Sequence, residues 1–426
     1  MGTVGGSTRQ APSEIMTDIL PVRRDMLRAL GVAATCGISG CAGLPADSAP
    51  PSVDIGILSV LSSDAIVDIG EGIANAAQLP LTQLADADLD VSVDHRTEDT
   101  EGDAAVAVSG AESLVADGYP AIVGPLESKI TLAVDKQVLI PQQVVGCSPT
   151  ATSPRLTELD DDDYIFRTRP SDAFQASVQA LVAIGELGAA SAATMYTNDE
   201  FGTAFNEAFV SRFQARGGEV VSQVPIKPEQ DDYSQRLETA LANDPDVLVL
   251  PVLLGSGITI LQHYYNAHEG HDIIVPGGMK SQDVIRDVDT DLSNVIGTGP
   301  LAAGPNLPAF RRHYENTYQR EVSVATPHSY DASAVLALAS LAADVTGGEI
   351  NDNIRFVAGS GGQKIGPSSL VTGARRVLNG EAVEYVGASS PVIFDSNGDM
   401  TTATFELWAY DPPDSFQQID TISFGT

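Results

Sequence analysis

The feature that most constrains this chain is a repeated switch of hydrophobic period, from two residues to about 3.6 and back, which begins at Val53 and recurs over most of the sequence. Residues 53–58 form a short apolar run of strand length, after which Ile66, Ile69, Ile73 and Ala76 recur at helical spacing. Residues 89–95 alternate as a strand, 103–117 carry Val108, Ala111 and Val115 on one helical face, and 121–124 are a strand. Residues 128–136 then fit a helix and 143–146 a strand. The cycle restarts with a helix through Phe174, Val178, Leu181 and Val182, a strand at 191–196, and a helix through Phe205, Ala208, Phe209 and Phe213 that stops at Gly217-Gly218. Strands at 219–224, 247–252 and 273–275 follow, with helices at 233–242 and through Ile258, Leu261 and Tyr265 between them. A long helix over 332–345 and β-rich closing segments complete the pattern. Such alternation predicts an α/β fold with parallel sheets covered by helices on both faces. A length of 426 residues suits two such doubly wound units in series better than one large sheet.

The amino-terminal segment reads as an address. Arg23-Arg24 precede an apolar stretch over 29–39, which is too short for a membrane helix and right for a signal-peptide core. It runs into Ile38-Ser39-Gly40-Cys41, which looks like a lipobox whose cysteine carries the lipid, and the paired arginines resemble a twin-arginine export signal. Residues 1–41 are therefore expected to be a leader ending at Cys41, with Met16 an alternative start, and the Pro/Ala-rich run 42–52 a tether. Lipid anchoring on the outer face of the cytoplasmic membrane follows from this reading. No apolar run is long enough to span a bilayer. Of the three cysteines only Cys147 lies in the expected folded body, so no disulfide is expected there.

Charge narrows the partners. Asp and Glu number 57 against 23 Lys plus Arg, only five of them lysine, for a net charge of −34. A field of that sign repels phosphates, which excludes nucleic acid and anionic headgroups as direct partners. The acids are spread along the chain, as in proteins of extreme halophiles, where salt screens the repulsion.

In open α/β sheets ligands bind beyond the carboxyl ends of the strands. Two loops there are rich in hydroxyls and backbone N–H groups, Gly124-Pro125-Leu126-Glu127-Ser128 and Ser148-Pro149-Thr150-Ala151-Thr152. Such loops either receive a carboxylate or serve only as helix caps.

At these loops the chain resembles the branched-chain amino-acid binding proteins of ABC transporters, with the type 1 periplasmic binding fold. The resemblance extends through Tyr164-Ile165-Phe166-Arg167-Thr168-Arg169-Pro170-Ser171-Asp172, Asp199-Glu200-Phe201-Gly202, Ser329-Tyr330-Asp331-Ala332 and Phe394-Asp395-Ser396-Asn397-Gly398-Asp399. It implies two lobes joined by a three-stranded hinge, with crossings near residues 168–171, 298–301 and 376–381. Lobe 1 would comprise 53–168 plus 299–377, and lobe 2 would comprise 169–298 plus 378–426. It implies that Ser128, Thr150 and Thr152, with the backbone at Ala151, hold a ligand carboxylate, and that Phe201 closes over the ligand. Leu254 and Gly278 would line the opposite wall. The position where an acid usually meets a ligand ammonium aligns near Gly278, so Asp331 or Asp68 would have to substitute, or the ligand lacks an amine. The function implied is an extracytoplasmic solute-binding subunit of an ABC importer, a monomer that delivers an amino acid or related carboxylate or amide to a permease. A ligand-sensing module for a membrane receptor is the alternative.

Other constellations point elsewhere. His263, His268 and His271 lack the cysteine or acid needed to complete a metal site, and Asp160 to Asp163 read as a solvated turn. Asp395, Asn397 and Asp399 imitate the start of a calcium loop, but a hairpin turn suits them better. With no phosphate-binding loop, nucleophile elbow or paired acid and base, neither an enzyme nor a cofactor is expected.

Overall fold

The computed structural model describes residues 8–10, 50–62, 66–346, 348–359, 361–411, 413 and 415–425. The expected leader core, the lipobox, Cys41 and most of the tether lie outside the described residues. Upstream of them, β1 (Thr8–Gln10) forms an edge strand.

The first sheet is wholly parallel. It contains β2 (Ser52–Ser59), β3 (Ser92–Asp99), β4 (Ala121–Val123), β5 (Val145–Ser148) and β6 (Ile165–Arg167) in the order β3-β2-β4-β5-β6. The period of two sends alternate residues to opposite faces. Val53, Ile55, Ile57, Ala121, Val123, Val145 and Cys147 pack under the helices Val67–Ala85 and Thr326–Thr346. Leu58 and Ile122 pack on the other side, under Ala104–Ala116 and Ser128–Val134. On that side Gly146 must be small, because a Cβ there would lie 2.8 Å from the Leu139 side chain. Asp103 starts its helix by accepting from the N–H groups of Ala105 and Val106.

The second sheet is mixed. Strands β7 (Ser191–Thr197), β8 (Glu219–Ile226), β9 (Val247–Val249), β10 (Asp272–Val275) and β11 (Val295–Pro300) are parallel. They are extended by β14 (Ala403–Asp411), antiparallel to β11, and by β15 (Ser415–Phe424), antiparallel to β14. The β-rich closing segments expected from the sequence are this pair of strands, an antiparallel hairpin added to the edge of the parallel strands. Gly297 on β11 allows Trp408 of β14 to lie flat against the strand, since a Cβ there would sit 2.0 Å from the indole.

The chain passes from the first sheet to the second after β6, and returns after β11 to build helices on the first sheet. The last passage comes later than residues 376–381. The small sheet of β12 (Gln363–Ile365) and β13 (Val383–Tyr385), with Ala388, Val392, Phe394 and Met400, belongs to the first core. The chain leaves that core just before Ala403, so residues 378–402 pack with lobe 1. The crossing at 376–381 was what the resemblance implied; in the structure a helix ends at Leu378, and the strand that follows returns to the same core.

Candidate functional site

The two hydroxyl-rich loops come together at the carboxyl ends of β4 and β5. Ser128 Oγ accepts the backbone N–H groups of Thr152 at 3.1 Å and Ser153 at 3.2 Å. Ser148 Oγ accepts the N–H of Ala151 at 3.0 Å. Thr150 Oγ1 donates to Leu126 O at 2.6 Å, and the Asp172 N–H donates to Thr152 O at 2.8 Å. Hydrogen-bond capacity is therefore unevenly spent. A hydroxyl has one proton, and that of Thr150 is committed inside the protein. Ser128 Oγ accepts these two N–H groups, and no donation from it to a described protein group is seen.

The loop that carries these groups is held from beneath by Arg167, which is 1 % exposed. Its guanidinium donates to Ser153 O at 2.7 Å and to Thr157 Oγ1 at 2.9 Å, and Nε pairs with Asp399. Asp399 reaches this position because Asp395 Oδ1 accepts the N–H groups of Asn397 and Asp399, closing the turn expected at 395–399. Gly398 there has φ of 71° and lies so near Ile165 O that a Cβ would be 2.0 Å away. The Arg167–Asp399 pair spans 232 residues of sequence and was not foreseen.

The lobes touch beside this loop. Ser153 Oγ donates to Glu200 Oε1 at 3.2 Å, and Arg155 lies 3.8 Å from Glu207. Glu200 opens the helix Glu200–Ala215, capped by Asp199, which accepts the Gly202 N–H at 2.8 Å. A cavity of about 760 Å³ lies on the lobe 1 side, lined by Leu132, Lys136, Arg155 and Leu159 among others and reached by Glu200 of lobe 2; Ser128, Thr150, Thr152 and Phe201 do not line it. Phe201 is half-buried against the second core, with its ring 5.8 Å from Phe205.

The remaining expected residues divide. Gly278 is exposed, and a Cβ on it would meet nothing within 4 Å. Leu254 begins the helix Leu254–Ala267 and packs against the lobe 2 core, whereas its neighbour Leu253 is 54 % exposed and supplies the apolar surface instead. Asp331 is not a ligand group. It is fully buried, and it accepts from the Tyr385 hydroxyl, the N–H groups of Ala388 and Ser389 and the Ser389 hydroxyl, at 2.6 to 2.9 Å. Burial raises its carboxyl to about 6. Asp68 is exposed beside Arg320, 3.6 Å away. An acid that sequence reasoning did not connect to this segment is Glu406, which pairs with Lys280 at 2.7 Å. Its signal was weak, a lone charge in an apolar strand.

Among the described residues no cluster of His, Cys, Asp or Glu is arranged for a metal. His263 instead accepts the Tyr233 N–H at 3.1 Å, and His271 lies 3.2 Å from the Tyr264 hydroxyl. No single described helix is long and apolar enough to cross a membrane.

A family model described as periplasmic binding protein matches residues 52–356. The chain is 26% identical over 329 residues to the chemotactic signal transduction system substrate-binding protein BasB of Halobacterium salinarum, covering 74% of this chain and 75% of that one. It is similar in structure to the leucine binding protein LivK of Thermotoga maritima, with a TM-score of 0.67, 19% identity, and 87% of this chain and 98% of the other covered. A solute binding protein of an ABC transporter from R. palustris, solved with 4-hydroxybenzoate, gives a TM-score of 0.65 at 17% identity, covering 87% and 96%.

Proposed function

Starting from the fact that the chain belongs to the periplasmic binding protein family, we propose that it is the extracytoplasmic, lipid-anchored solute-binding subunit of an ABC importer. Its ligand on this reading is a small carboxylate, held between the lobes and passed to a permease. The observation that carries the reading is the junction itself. The hydroxyl-rich loop of lobe 1 meets the start of the Glu200–Ala215 helix of lobe 2 through Ser153 and Glu200. A solute seated there touches both lobes and so favours the closed arrangement of the hinge.

Ser128 supplies the free hydroxyl for the carboxylate. Glu200, exposed at the same junction, supplies an acid for an ammonium if the ligand is an amino acid. Leu253 and the half-buried Phe201 provide apolar cover. The named ligands of similar structures, leucine and 4-hydroxybenzoate, share a carboxylate and differ in the amine. Glu200→Gln therefore separates the two classes, weakening an amino acid and sparing an aromatic acid.

The test is a thermal-shift panel on the purified protein, with amino acids and aromatic acids as probes. Ligand at 100 times its dissociation constant adds about 2.7 kcal/mol of stability. Ser128→Ala is expected to weaken the ligand found by about tenfold or more, through loss of one charge-assisted hydrogen bond. No shift from any carboxylate in the panel, or full affinity in Ser128→Ala, would sink the reading. A second reading, reporting ligand to a membrane receptor, is favoured by the chemotactic relative. A pull-down from membranes distinguishes permease from receptor.

A further inference from the structure

We propose that Ser153 is the positioning residue of lobe closure, joining the solute-facing hydroxyl of Ser128 in lobe 1 to Glu200 in lobe 2. Ser153 is buried, and its N–H, carbonyl and hydroxyl are all engaged. The N–H donates to Ser128 Oγ at 3.2 Å, and the carbonyl accepts from Arg167 at 2.7 Å. The Oγ accepts the Arg155 N–H at 3.2 Å and donates to Glu200 Oε1 at 3.2 Å.

The local sequence explains the direction of that last bond. Ser153 caps the short helix Pro154–Leu156, and Pro154 has no N–H, so the cap reaches Arg155. Capping uses a lone pair of Oγ, and a carboxylate only accepts, so the hydroxyl proton goes to Glu200. Ser128 and Arg167 hold the Ser153 backbone from either side. A hydroxyl on a backbone so fixed reaches Glu200 only while the helix Glu200–Ala215 stands against the loop.

Charge gives this contact its weight. A chain of net charge −34 drives its acidic lobes apart, and the lobe 2 helix brings Glu200 and Glu207 toward lobe 1. Facing them are a hydroxyl and a guanidinium. Arg155 lies 3.8 Å from Glu207 but only 2.9 Å from Glu158 of its own lobe, and these side chains are all more than one-third exposed. An exposed, divided ion pair of this kind contributes little, so Ser153 carries the contact. The seating of Ser128 and the closure of the lobes then become one coupled equilibrium. The link to the solute rests on the reading of Ser128 given above, whereas the lobe contact does not.

The experiment is small-angle scattering of the purified protein with no solute added, fitted as a ratio of open to closed lobes. Concentrated KCl screens the general repulsion between the lobes. Ser153→Ala and Glu200→Ala are each expected to raise the ratio about fivefold. The double variant should raise it no more than either one, because both remove the same bond. A purely capping role of Ser153 would instead let Ser153→Ala act in full in the Glu200→Ala background. Ser128→Ala, which takes away the acceptor of the Ser153 N–H, is expected to raise the ratio about twofold. Additive effects, or an unchanged ratio in Glu200→Ala or Ser128→Ala, would overturn the proposal. If Ser153→Ala does not fold, the exposed partner decides: Glu200→Gln keeps an acceptor oxygen and should open the lobes less than Glu200→Ala, and equal opening by both would count against the bond. No solute enters the measurement, so its failure is distinct from a failure of the carboxylate reading.

Discussion

The two lobes share a fold and solve the problem of an interior differently. Lobe 1 buries ionisable groups: Arg167 and Asp399 as a pair, Asp331 under four donors, Asp135 fully enclosed and His328 as a neutral ring. Lobe 2 fills its faces with rings. Phe205, Phe209 and Phe213 lie on one side of its sheet, and Tyr233, Tyr264 and Trp408 on the other. Aromatic packing is strong and tolerant of small shifts, whereas a buried ion pair holds only in one geometry. Arg167 and Asp399 thus sit beneath the loop that follows Thr152, and Phe201 and Leu254 rest on the apolar cores of lobe 2.

The largest effect expected from this contrast lies at Asp399. Removing it by Asp399→Ala leaves Arg167 charged and enclosed, with the 151–157 loop losing its support. A loss of about 3–5 kcal/mol is expected in urea unfolding, together with a broadened or lost ligand response. A loss below about 1 kcal/mol would mean that the pair is not what organises lobe 1.

Next in size is a pH effect at His328. Its folded value near 3 lies below the ordinary 6.5, so its stabilising contribution is complete above pH 6.5 and lost as pH falls toward 3. Asp172 and Asp331 are raised to about 6 from 3.8. They act in the opposite sense, adding stability at low pH that is lost as pH rises through 6. The comparison of wild type with His328→Gln removes those shared terms. The stability difference between the two proteins is expected to shrink by about 2 kcal/mol from pH 7 to pH 5. A constant difference would show that the ring charges freely.

The same contrast explains what was legible in the sequence. The alternation of periods located β2 to β5 and β7 to β10, because a covered strand is apolar on its buried faces and a covering helix carries a stripe, but it did not mark β6 or β11. Strand β3 begins at Ser92 rather than Leu89, a local shift that alternation alone does not resolve. The loops at Ser128 and Thr150 to Thr152 could be found, since strand ends followed by hydroxyls carry a physical meaning. What they do with those hydroxyls could not be read. Whether Thr150 donates to Leu126 O or to a solute depends on a backbone path set by residues far away. Asp399 shows the limit most plainly. Its neighbours announced a turn, but nothing in residues 395–399 names Arg167 as the partner. Asp331 failed as a ligand group for the converse reason, since its donors come from residues 385–389, which the sequence reading divided from its lobe.

The smallest effect expected is at a part-buried ion pair of lobe 2. Lys280 meets Glu406 at 2.7 and 2.8 Å, with its Nζ 5.9 Å from the Trp408 ring centre and 5.8 Å from that of Phe416. The Lys280 side chain is 30% exposed and that of Glu406 11%, so water can reach the carboxylate once the cation is gone. Lys280→Met keeps the apolar stem over the rings and removes only the charge, and about 1 kcal/mol is expected to be lost. The loss should shrink further in concentrated KCl, where a part-exposed pair is screened and an enclosed one is not. Measuring Lys280→Met and Asp399→Ala side by side at low and high salt is the sharpest form of the comparison. If both cost the same and neither responds to salt, the second lobe is organised by buried charge as much as the first, and the division of labour between them fails.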